Sequence, residues 1–415
     1  MSDALTSGIP LPSGMRRIEG GVTAASGFRA GSTYCGIKTD ASGRDFALLL
    51  ADIPCLTAAT FTTSRTPAHP VLVCQEHLAA TDGRAQAVVV NSSNANCSNG
   101  PQGLVDARRT ADLVGQKLGI DANLVMVSST GIIGRPLPMD KIEIGVAQVE
   151  VSPHGGDEFS GAIITTDTRT KIVAVEFELD GKTVRMGGTT KGAGMIYPNM
   201  ATMLCYITTD AAVELEFLRE ALRSAVADSF NMVCVDGDMS TNDTVLCMAS
   251  GLAGNAPVHA GSRDATTFAA ALDYVTAYLA REIARDGEGA TKLMTVVVRG
   301  AASDADARKA ARAVTASPLW QCAVAGGDAN WGRILAALGA SGAELDHDKL
   351  EIGVNGLTLV AHGHAASYDP VEAKRVMQDT GIDVDVDLHL GPYQATAWGC
   401  DLTHGYIDEN TTYFR

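Results

Sequence analysis

Residues Ile172–Arg185 read IVAVEFELDGKTVR, and this stretch carries a strong fold signal. Apolar and polar side chains alternate on both sides of Asp180-Gly181. An Asp-Gly pair between two alternating segments is typical of a tight β-hairpin turn. The stretch therefore predicts two adjacent antiparallel strands.

Further along the chain, the spacing of apolar residues changes to that of helices. The segment 218–231 predicts a helix with one face formed by Leu218, Leu222, Ala225, Val226 and Ser229. A longer helix is predicted between Asp264, which can cap its start, and Ala284. Its apolar face consists of Phe268, Leu272, Val275, Leu279 and Ile283. Thr295–Val298 predicts a buried strand, and Asp304–Val314 predicts an alanine-rich helix.

These elements predict the α/β fold class, with layered sheets covered by helices and no repeat of fixed period. A length of 415 residues suits two or three domain-sized units, or one large fold built from two lobes. Gly187–Met200 reads GGTTKGAGMIYPNM and is the best candidate for a division of the chain. A glycine-rich loop of this length is more often functional than a simple linker.

The composition excludes several function classes. The formal net charge is -16, and no run of Lys or Arg is present, so we expect no nucleic-acid partner. The nine cysteines are scattered without a CxxC pair, which indicates a reducing compartment. The start of the sequence lacks the apolar core of a secretion signal, and no apolar stretch is long enough for a membrane span. We expect a cytoplasmic enzyme that acts on small molecules.

Thr202 lies where the glycine-rich stretch gives way to the apolar run MLCYI. A threonine in this position is most often a helix cap or the first residue of a strand. A chemical role requires a base, which the free α-amine of an N-terminal threonine supplies on the same residue. An internal threonine gains that amine only if the preceding bond, here Ala201–Thr202, is cut. Both interpretations follow from the residues alone.

The segment Lys191–Ala211, KGAGMIYPNMATMLCYITTDA, resembles the self-processing site of the ornithine acetyltransferase family. The resemblance extends in order over nearly the whole chain. The other similar segments are GVTAASGFRAG (21–31), NSSNANCSNGPQG (91–103), SSTGIIGRPLPM (128–139), AIITTDTRTK (162–171), VDGDMSTNDT (235–244), DGEGATKLM (286–294), DANWGRILAALG (328–339) and AWGCDLT (397–403).

The resemblance implies a layered α-β-β-α sandwich with two lobes, of the kind shared with self-cleaving aminopeptidases. It also implies cleavage at Ala201–Thr202 into an α chain, 1–201, and a β chain, 202–415, which stay associated as an α2β2 unit or larger. The family moves an acetyl group from N2-acetylornithine to glutamate through an ester on the threonine, in a ping-pong cycle. No cofactor is implied, and acetyl-CoA serves some members as a further donor.

The resemblance also implies roles for two catalytic residues and a lysine. Thr130 and Gly131 in SSTGIIG match the family's oxyanion hole, although the same residues suit an ordinary turn. Lys191 matches a substrate-binding lysine. It would pair with the α-carboxylate of the amino acid or lower the pKa of the Thr202 amine, whereas a loop lysine is usually only solvated.

The remaining substrate contacts are also carried over from the family. One or both of Thr165 and Thr166 would offer a hydroxyl to the substrate. The alternative is that the two residues merely end a strand. Glu288, in the turn DGEGA between a helix and a strand, would bind an ammonium group of ornithine. Asn410 matches a family asparagine. Arg415 stands at a second substrate contact of the family, where the family has Ser or Thr. It could meet a substrate carboxylate through its side chain, and the acceptor and the pathway could differ from those of the family.

No other catalytic motif is present. The sequence has no phosphate-binding loop, dinucleotide fingerprint, HExxH or GxSxG, and its His residues show no metal-ligand spacing. Cys205 lies in an apolar run, which predicts a buried structural thiol. Two alternatives to the transferase stay open: an N-terminal-nucleophile amidase or aminopeptidase, and a relative that only binds amino acids.

Overall fold

The computed structural model describes residues 8–39, 43–197 and 203–412. The chain forms two compact units, each assembled from three separate segments. The first comprises Met1–Gly192, Thr202–Val226 and Ser240–Leu279, and the second Ala193–Ala201, Ala227–Met239 and Ala280–Arg415. The division after Gly192 falls inside the glycine-rich stretch in which the sequence predicts it.

The first unit contains a nine-stranded sheet. Its strands, numbered in chain order, are β1 Arg16–Ile18, β2 Phe28–Thr33, β3 Phe46–Phe61, β4 Arg84–Asn91, β5 Val125–Ser129, β6 Lys171–Leu179, β7 Lys182–Lys191, β8 Leu204–Thr209 and β10 Thr244–Ala249. They follow the order β1-β6-β7-β8-β10-β3-β4-β5, and β2 pairs with β3. Strand β8 is antiparallel to β7 and parallel to β10, so the residues just after Thr202 enter the interior of the sheet.

The helices of the first unit are α1 His69–Ala80, α2 Gly100–Leu118, α3 Met139–Gln148 and α4 Gly156–Ile163. Helices α5 Leu215–Asp228 and α6 Ala265–Arg285 begin in this unit, and short 3-10 turns span Gly21–Thr23 and Ala122–Leu124. Alternate residues of β3 enter two cores: one includes side chains of α4, and the other includes side chains of α2 and α3. The sheet is therefore buried on both faces here, which explains the nearly continuous apolar sequence of β3.

The second unit contains a seven-stranded sheet in the order β14-β13-β12-β15-β11-β16-β9. Its strands are β9 Val233–Cys234, β11 Leu293–Ala301, β12 Glu351–Val354, β13 Leu357–Ala361, β14 His364–Ala365, β15 Gly381–Asp387 and β16 Tyr393–Cys400. Its helices are α7 Asp304–Thr315, α8 Pro318–Gly326, α9 Trp331–Ala340, α10 Pro370–Val376 and α11 His404–Thr412, with 3-10 turns at Phe230–Met232 and His347–Lys349.

The elements that the sequence predicts are confirmed. Strands β6 and β7 form the hairpin about Asp180-Gly181, and the five predicted apolar residues of α6 are all buried. The predicted helix at 218–231 is α5, which ends at Asp228, so Ser229 is buried but lies outside it. Asp264 precedes α6 and accepts a hydrogen bond from the backbone N–H of Asp180 over 2.8 Å. Strand β11 and helix α7 occupy the other two predicted positions.

The predicted α/β class with two lobes is confirmed, because each unit has its own sheet and helices. Within the residues that the structure describes, no helix is both long enough and apolar enough to cross a membrane.

Candidate active site

Lys191 is the last residue of β7, and only 2% of it is exposed. Its Nζ donates a hydrogen bond to Oγ1 of Thr130 over 3.1 Å. The placement of Lys191 in a loop is wrong, because the strand continues through the glycines before it, and the alternative of a solvated lysine does not fit its burial. A Cβ on Gly187 would lie 1.9 Å from the carbonyl oxygen of Gly21, so glycine here serves close packing.

Thr130 follows β5 and is buried. Its backbone N–H donates to the carbonyl oxygen of Asn91 over 3.0 Å, which fixes the backbone. Its hydroxyl oxygen accepts the hydrogen bond from Lys191, which leaves the hydroxyl hydrogen to be donated elsewhere. A threonine held in this way can serve as a hydrogen-bond donor to a developing oxyanion.

Gly131 follows directly and adopts a φ of 132°, in the region that favours glycine. A Cβ at this position would lie 2.2 Å from the backbone carbon of Ser93 and 2.5 Å from the backbone nitrogen of Asn94. Both the backbone conformation and the close approach therefore require glycine. Thr130 and Gly131 form a constrained turn, and their oxyanion role stays a prediction.

A buried ion pair that the sequence analysis missed lies at the start of β6. Nζ of Lys171 is 2.6 Å from Oδ1 of Asp167, and both side chains are fully buried. The same carboxylate oxygen accepts a hydrogen bond from the backbone N–H of Gly192 over 2.7 Å, next to Lys191. In the sequence TTDTRTK, Asp167 and Lys171 are four residues apart. This spacing only weakly predicts a buried ion pair, because pairs so spaced are usually exposed.

The pKa of Asp167 reflects this environment. Burial raises it, but the charges of Lys171 and Lys191 and the hydrogen bonds from Gly192 and Lys171 outweigh that effect and hold the pKa at about 2. The carboxyl is therefore ionised at neutral pH. Its negative charge lies beside two buried lysines, Lys171 and Lys191.

Thr165 and Thr166 lie in the connection between helix α4 and strand β6. The alternative that they end a strand is therefore wrong. Both are half-buried. The backbone N–H of Thr165 donates to Oδ2 of Asp167 over 3.2 Å, so this connection is anchored on the buried ion pair. Their contact with substrate stays a prediction.

In the second unit, Glu288 and Asn410 are in direct contact. Glu288 lies between α6 and β11, as predicted, and its Oε2 accepts a hydrogen bond from Nδ2 of Asn410 over 2.8 Å. Its backbone N–H donates to the carbonyl oxygen of Ala193 over 2.9 Å. A Cβ on Gly194 would lie 2.3 Å from the Glu288 carboxyl carbon, so the glycine leaves room for the carboxylate. Two predicted substrate residues, 122 positions apart, therefore meet.

Asp236 is a second acidic residue near this segment that the sequence analysis did not single out. Its carboxylate accepts hydrogen bonds from the backbone N–H groups of Met195, over 2.5 Å, and Ile196, over 3.0 Å. The hydroxyl of Tyr406 lies 3.3 Å from its Oδ2. Burial raises the pKa of Asp236 although these backbone hydrogen bonds oppose the effect. The carboxylate therefore anchors the segment that precedes the predicted cleavage point.

Comparison with known proteins identifies the family. The family model described as ArgJ family matches residues 29–414. The chain belongs to the ArgJ family. Two relatives carry the name arginine biosynthesis bifunctional protein ArgJ. The protein from Symbiobacterium thermophilum is 49% identical over 96% of this chain and all of its own length, and that from Oceanobacillus iheyensis is 43% identical over 95% of this chain and 96% of its own. The resemblance drawn from the sequence segments is confirmed.

One solved structure to which the chain is similar is that of ornithine acetyltransferase from Mycobacterium tuberculosis complexed with ornithine. The two sequences are 42% identical, and the match covers 44% of this chain and 98% of the chain in that structure, with a TM-score of 0.41.

Three residues of the predicted site lie outside the described residues. These are Ala201 and Thr202 at the predicted cleavage point and Arg415 at the predicted terminal contact. The first described residue after the cleavage point, Met203, is buried, and its backbone N–H donates to Oδ1 of Asp243 over 3.0 Å. The role of Thr202 as nucleophile stays a prediction.

Cys205 is buried within β8, as predicted for a structural thiol. Burial raises its pKa well above its usual range, so it is a poor nucleophile. All nine cysteines are free thiols. Across residues 8–39, 43–197 and 203–412, no group of three or more His, Cys, Asp or Glu side chains is placed to hold a metal ion.

Proposed function

We propose that this chain cuts itself between Ala201 and Thr202 and then moves an acetyl group from N2-acetylornithine to glutamate. One observation carries the proposal. The buried Lys191 holds the Thr130 hydroxyl, and it lies in register with Leu204, two residues after Thr202. The predicted oxyanion donor, the predicted substrate lysine and the first strand of the predicted second chain thus lie together at one end of the sheet.

In the first half of the cycle, the hydroxyl of Thr202 attacks the acetyl carbon of acetylornithine. The α-amine of the same residue takes the hydroxyl proton and passes it to the departing amine of ornithine. Thr130 and Gly131 donate hydrogen bonds to the oxygen that becomes negative. One such donor lowers the barrier by about 3–4 kcal/mol. The product of this half is an acetyl ester on Thr202.

In the second half, the amine of glutamate attacks the ester carbonyl carbon, and the α-amine of Thr202 moves a proton from the attacking nitrogen to the Thr202 oxygen, which leaves as a hydroxyl. Glu288, with Asn410 bonded to it, supplies negative charge for an ammonium group of ornithine. We assign the carboxylate of the amino acid to Lys191, and further substrate contacts to Thr165, Thr166 and Arg415. No cofactor takes part, and acetyl-CoA serves as a second acetyl donor.

We also propose that the two chains stay together in an α2β2 assembly in the cytoplasm. Strand β7, from the first chain, pairs with β8, from the second, between Met186↔Thr209 and Lys191↔Leu204. This ladder of backbone hydrogen bonds supports their association after the cut.

The test uses purified full-length protein. We expect a denaturing gel to show two bands of about half the full length, and acetyl transfer from acetylornithine to glutamate to exceed release of free acetate. Thr202→Ala should abolish both cleavage and transfer, whereas Thr183→Ala, at an exposed position of β7, should change neither. An uncut wild-type chain, or hydrolysis that exceeds transfer, would refute the proposal.

A further inference from the structure

Asn242 lies two residues before β10 and is buried. Its Nδ2 donates two hydrogen bonds, one to the carbonyl oxygen of Ala95 over 2.7 Å and one to the carbonyl oxygen of Ser129 over 2.8 Å. Its Oδ1 accepts a hydrogen bond from the hydroxyl of Thr241 over 2.6 Å. Because a side-chain amide has two N–H donors, both are used here, and both bind backbone.

The two carbonyl groups belong to the segments that form the Thr130–Gly131 turn. Ser129 is the last residue of β5 and directly precedes this turn. Ala95 follows Asn94, whose backbone nitrogen would lie 2.5 Å from a Cβ on the glycine of the turn. A single side chain therefore holds both the strand that leads into the turn and the loop against which the turn packs.

The peptide unit between Ser129 and Thr130 is held on both sides. Its carbonyl oxygen accepts the hydrogen bond from Asn242, and its N–H donates to the carbonyl oxygen of Asn91 over 3.0 Å. The hydroxyl of Ser129 also donates to Oδ1 of Asn91 over 2.6 Å. The next peptide unit carries the Gly131 N–H, so a rotation of the first unit would change the direction of that donor.

Asn242 also relates the turn to β8, the first strand of the proposed second chain. Strand β8 lies between β7 and β10, and its Leu204 pairs with Lys191 on one side and with Thr244 on the other. Lys191 holds the hydroxyl of Thr130 from the β7 side. Asn242, just before β10, holds the backbone of the turn from the other side. Residues that flank β8 on both sides therefore fix the turn.

We infer that Asn242 is a positioning residue for acetyl transfer, a role that rests on the function proposed above. It sets the place of the Thr130–Gly131 turn and thereby aligns the donors of the turn with the oxygen that becomes negative. Such donors lower the barrier only when they point at the developing charge, so a small displacement costs much of their effect. Asn242 acts through the turn and not on the substrate. An aspartate could not replace it, because a carboxylate has no N–H to donate.

The test measures acetyl transfer from acetylornithine to glutamate by purified, self-cleaved full-length protein. Asn242→Ala removes both donated hydrogen bonds, so we expect kcat to fall about 10–100-fold. KM for acetylornithine should change less than about threefold, because the turn acts on the transition state and not on substrate binding. Asn242→Gln keeps an amide that can still donate to a carbonyl oxygen, so part of the lost kcat should return.

The matched control is Asn255→Ala. Asn255 is also buried, and its Nδ2 also donates to two backbone carbonyl oxygens, those of Ala212 and Ala256. Ala212 follows the opposite end of β8. Both alanine variants lose two hydrogen bonds, so we expect similar losses of thermal stability, but only Asn242→Ala should lose kcat. Equal kcat values for the two variants would show that Asn242 has only a structural role and would overturn the inference.

A second comparison tests whether Asn242 acts through the turn. In the Gly131→Ala background the turn is already displaced, so Asn242→Ala should lower kcat further by no more than about threefold. An undiminished effect in this background would contradict the inference. If the wild-type protein transfers no acetyl group, the proposed function itself fails.

If Asn242→Ala stays uncut, amide hydrogen exchange decides, because it does not require cleavage. Peptides that cover 125–135 should exchange faster in Asn242→Ala than in the uncut Thr202→Ala chain, and equal exchange would overturn the inference. If thermal unfolding shows that Asn242→Ala does not fold, Asn242→Ser takes its place with the same expected results, because the shorter side chain cannot reach both carbonyl oxygens.

Discussion

The buried ion pair between Lys171 and Asp167 allows a sharp test of how the first unit holds its site. Both side chains are fully buried, and their charged atoms are 2.6 Å apart. Lys171→Met keeps the length of the side chain and removes its charge. In this variant Asp167 stays buried and keeps the hydrogen bond from the Gly192 backbone N–H and the nearby charge of Lys191.

Removal of one member of a buried pair costs about 3–5 kcal/mol, because the remaining charge is left uncompensated. Since Asp167 retains three of its stabilising interactions, including the hydrogen bond from the Thr165 N–H, we expect a loss near the lower limit, about 3 kcal/mol. The assay is urea unfolding followed by circular dichroism, which gives the free energy of unfolding. Addition of Asp167→Asn to Lys171→Met should recover part of the loss, because no unpaired charge remains.

The matched control is Arg108→Met, which breaks an exposed pair with Glu76 in which both side chains are about half exposed. Exposed pairs contribute about 0–1 kcal/mol. If Lys171→Met costs no more than Arg108→Met, the assignment of this pair as a stabilising element is wrong.

The pH dependence of stability gives an independent measurement on the same pair. Because the folded state lowers the pKa of Asp167 from 3.8 to about 2, its contribution is complete above pH 4 and is lost as the pH falls towards 2. Wild-type stability should therefore fall more steeply over this range than that of Asp167→Asn. Parallel curves would contradict the low pKa.

Three further predictions concern other parts of the molecule. Gly131→Ala should lower acetyl transfer by at least about 100-fold, because it displaces the turn proposed as the oxyanion hole, whereas Gly161→Ala, in helix α4 with open space around its Cβ, should retain most activity; equal activities in the transfer assay would argue against this role of the turn. Glu288→Gln should raise KM for acetylornithine about 10-fold or more through loss of a charged hydrogen bond while self-cleavage continues, and an unchanged KM would remove Glu288 from the substrate site. Iodoacetamide should label the exposed Cys322 in the native protein and leave the buried Cys205 unmodified, as read by mass spectrometry; rapid labelling of Cys205 would contradict its burial.

Much of the fold could be predicted because local patterns and tertiary packing agree. The hairpin about Asp180-Gly181 and the apolar face of α6 depend on residues close in sequence, and the structure has both. The end of β7 was not predicted correctly. Its glycines suggest a loop from local preference, but tight packing against neighbouring backbone makes glycine necessary in the strand.

The candidate site is less accessible to sequence reasoning, because it depends on contacts between distant segments. The bond between Lys191 and Thr130 joins residues 61 positions apart, and neither residue type is unusual on its own. The burial of Asp167 and Asp243 has no local signature, since aspartate in a polar segment is normally exposed. The residues predicted to bind substrate come from family resemblance, whereas the buried carboxylates near them become visible only in the fold.

The position of the proposed cut explains why the fold would persist after cleavage. The cut falls between two strands that are neighbours in one sheet, so it removes a covalent connection and leaves the ladder between β7 and β8 in place. Strand β8 also pairs with β10 on its other side, and both compact units contain residues from both proposed chains. Cleavage therefore cannot separate the chains without unfolding the sheet. Met203, the first described residue after the proposed cut, is held by both its backbone N–H and its carbonyl oxygen.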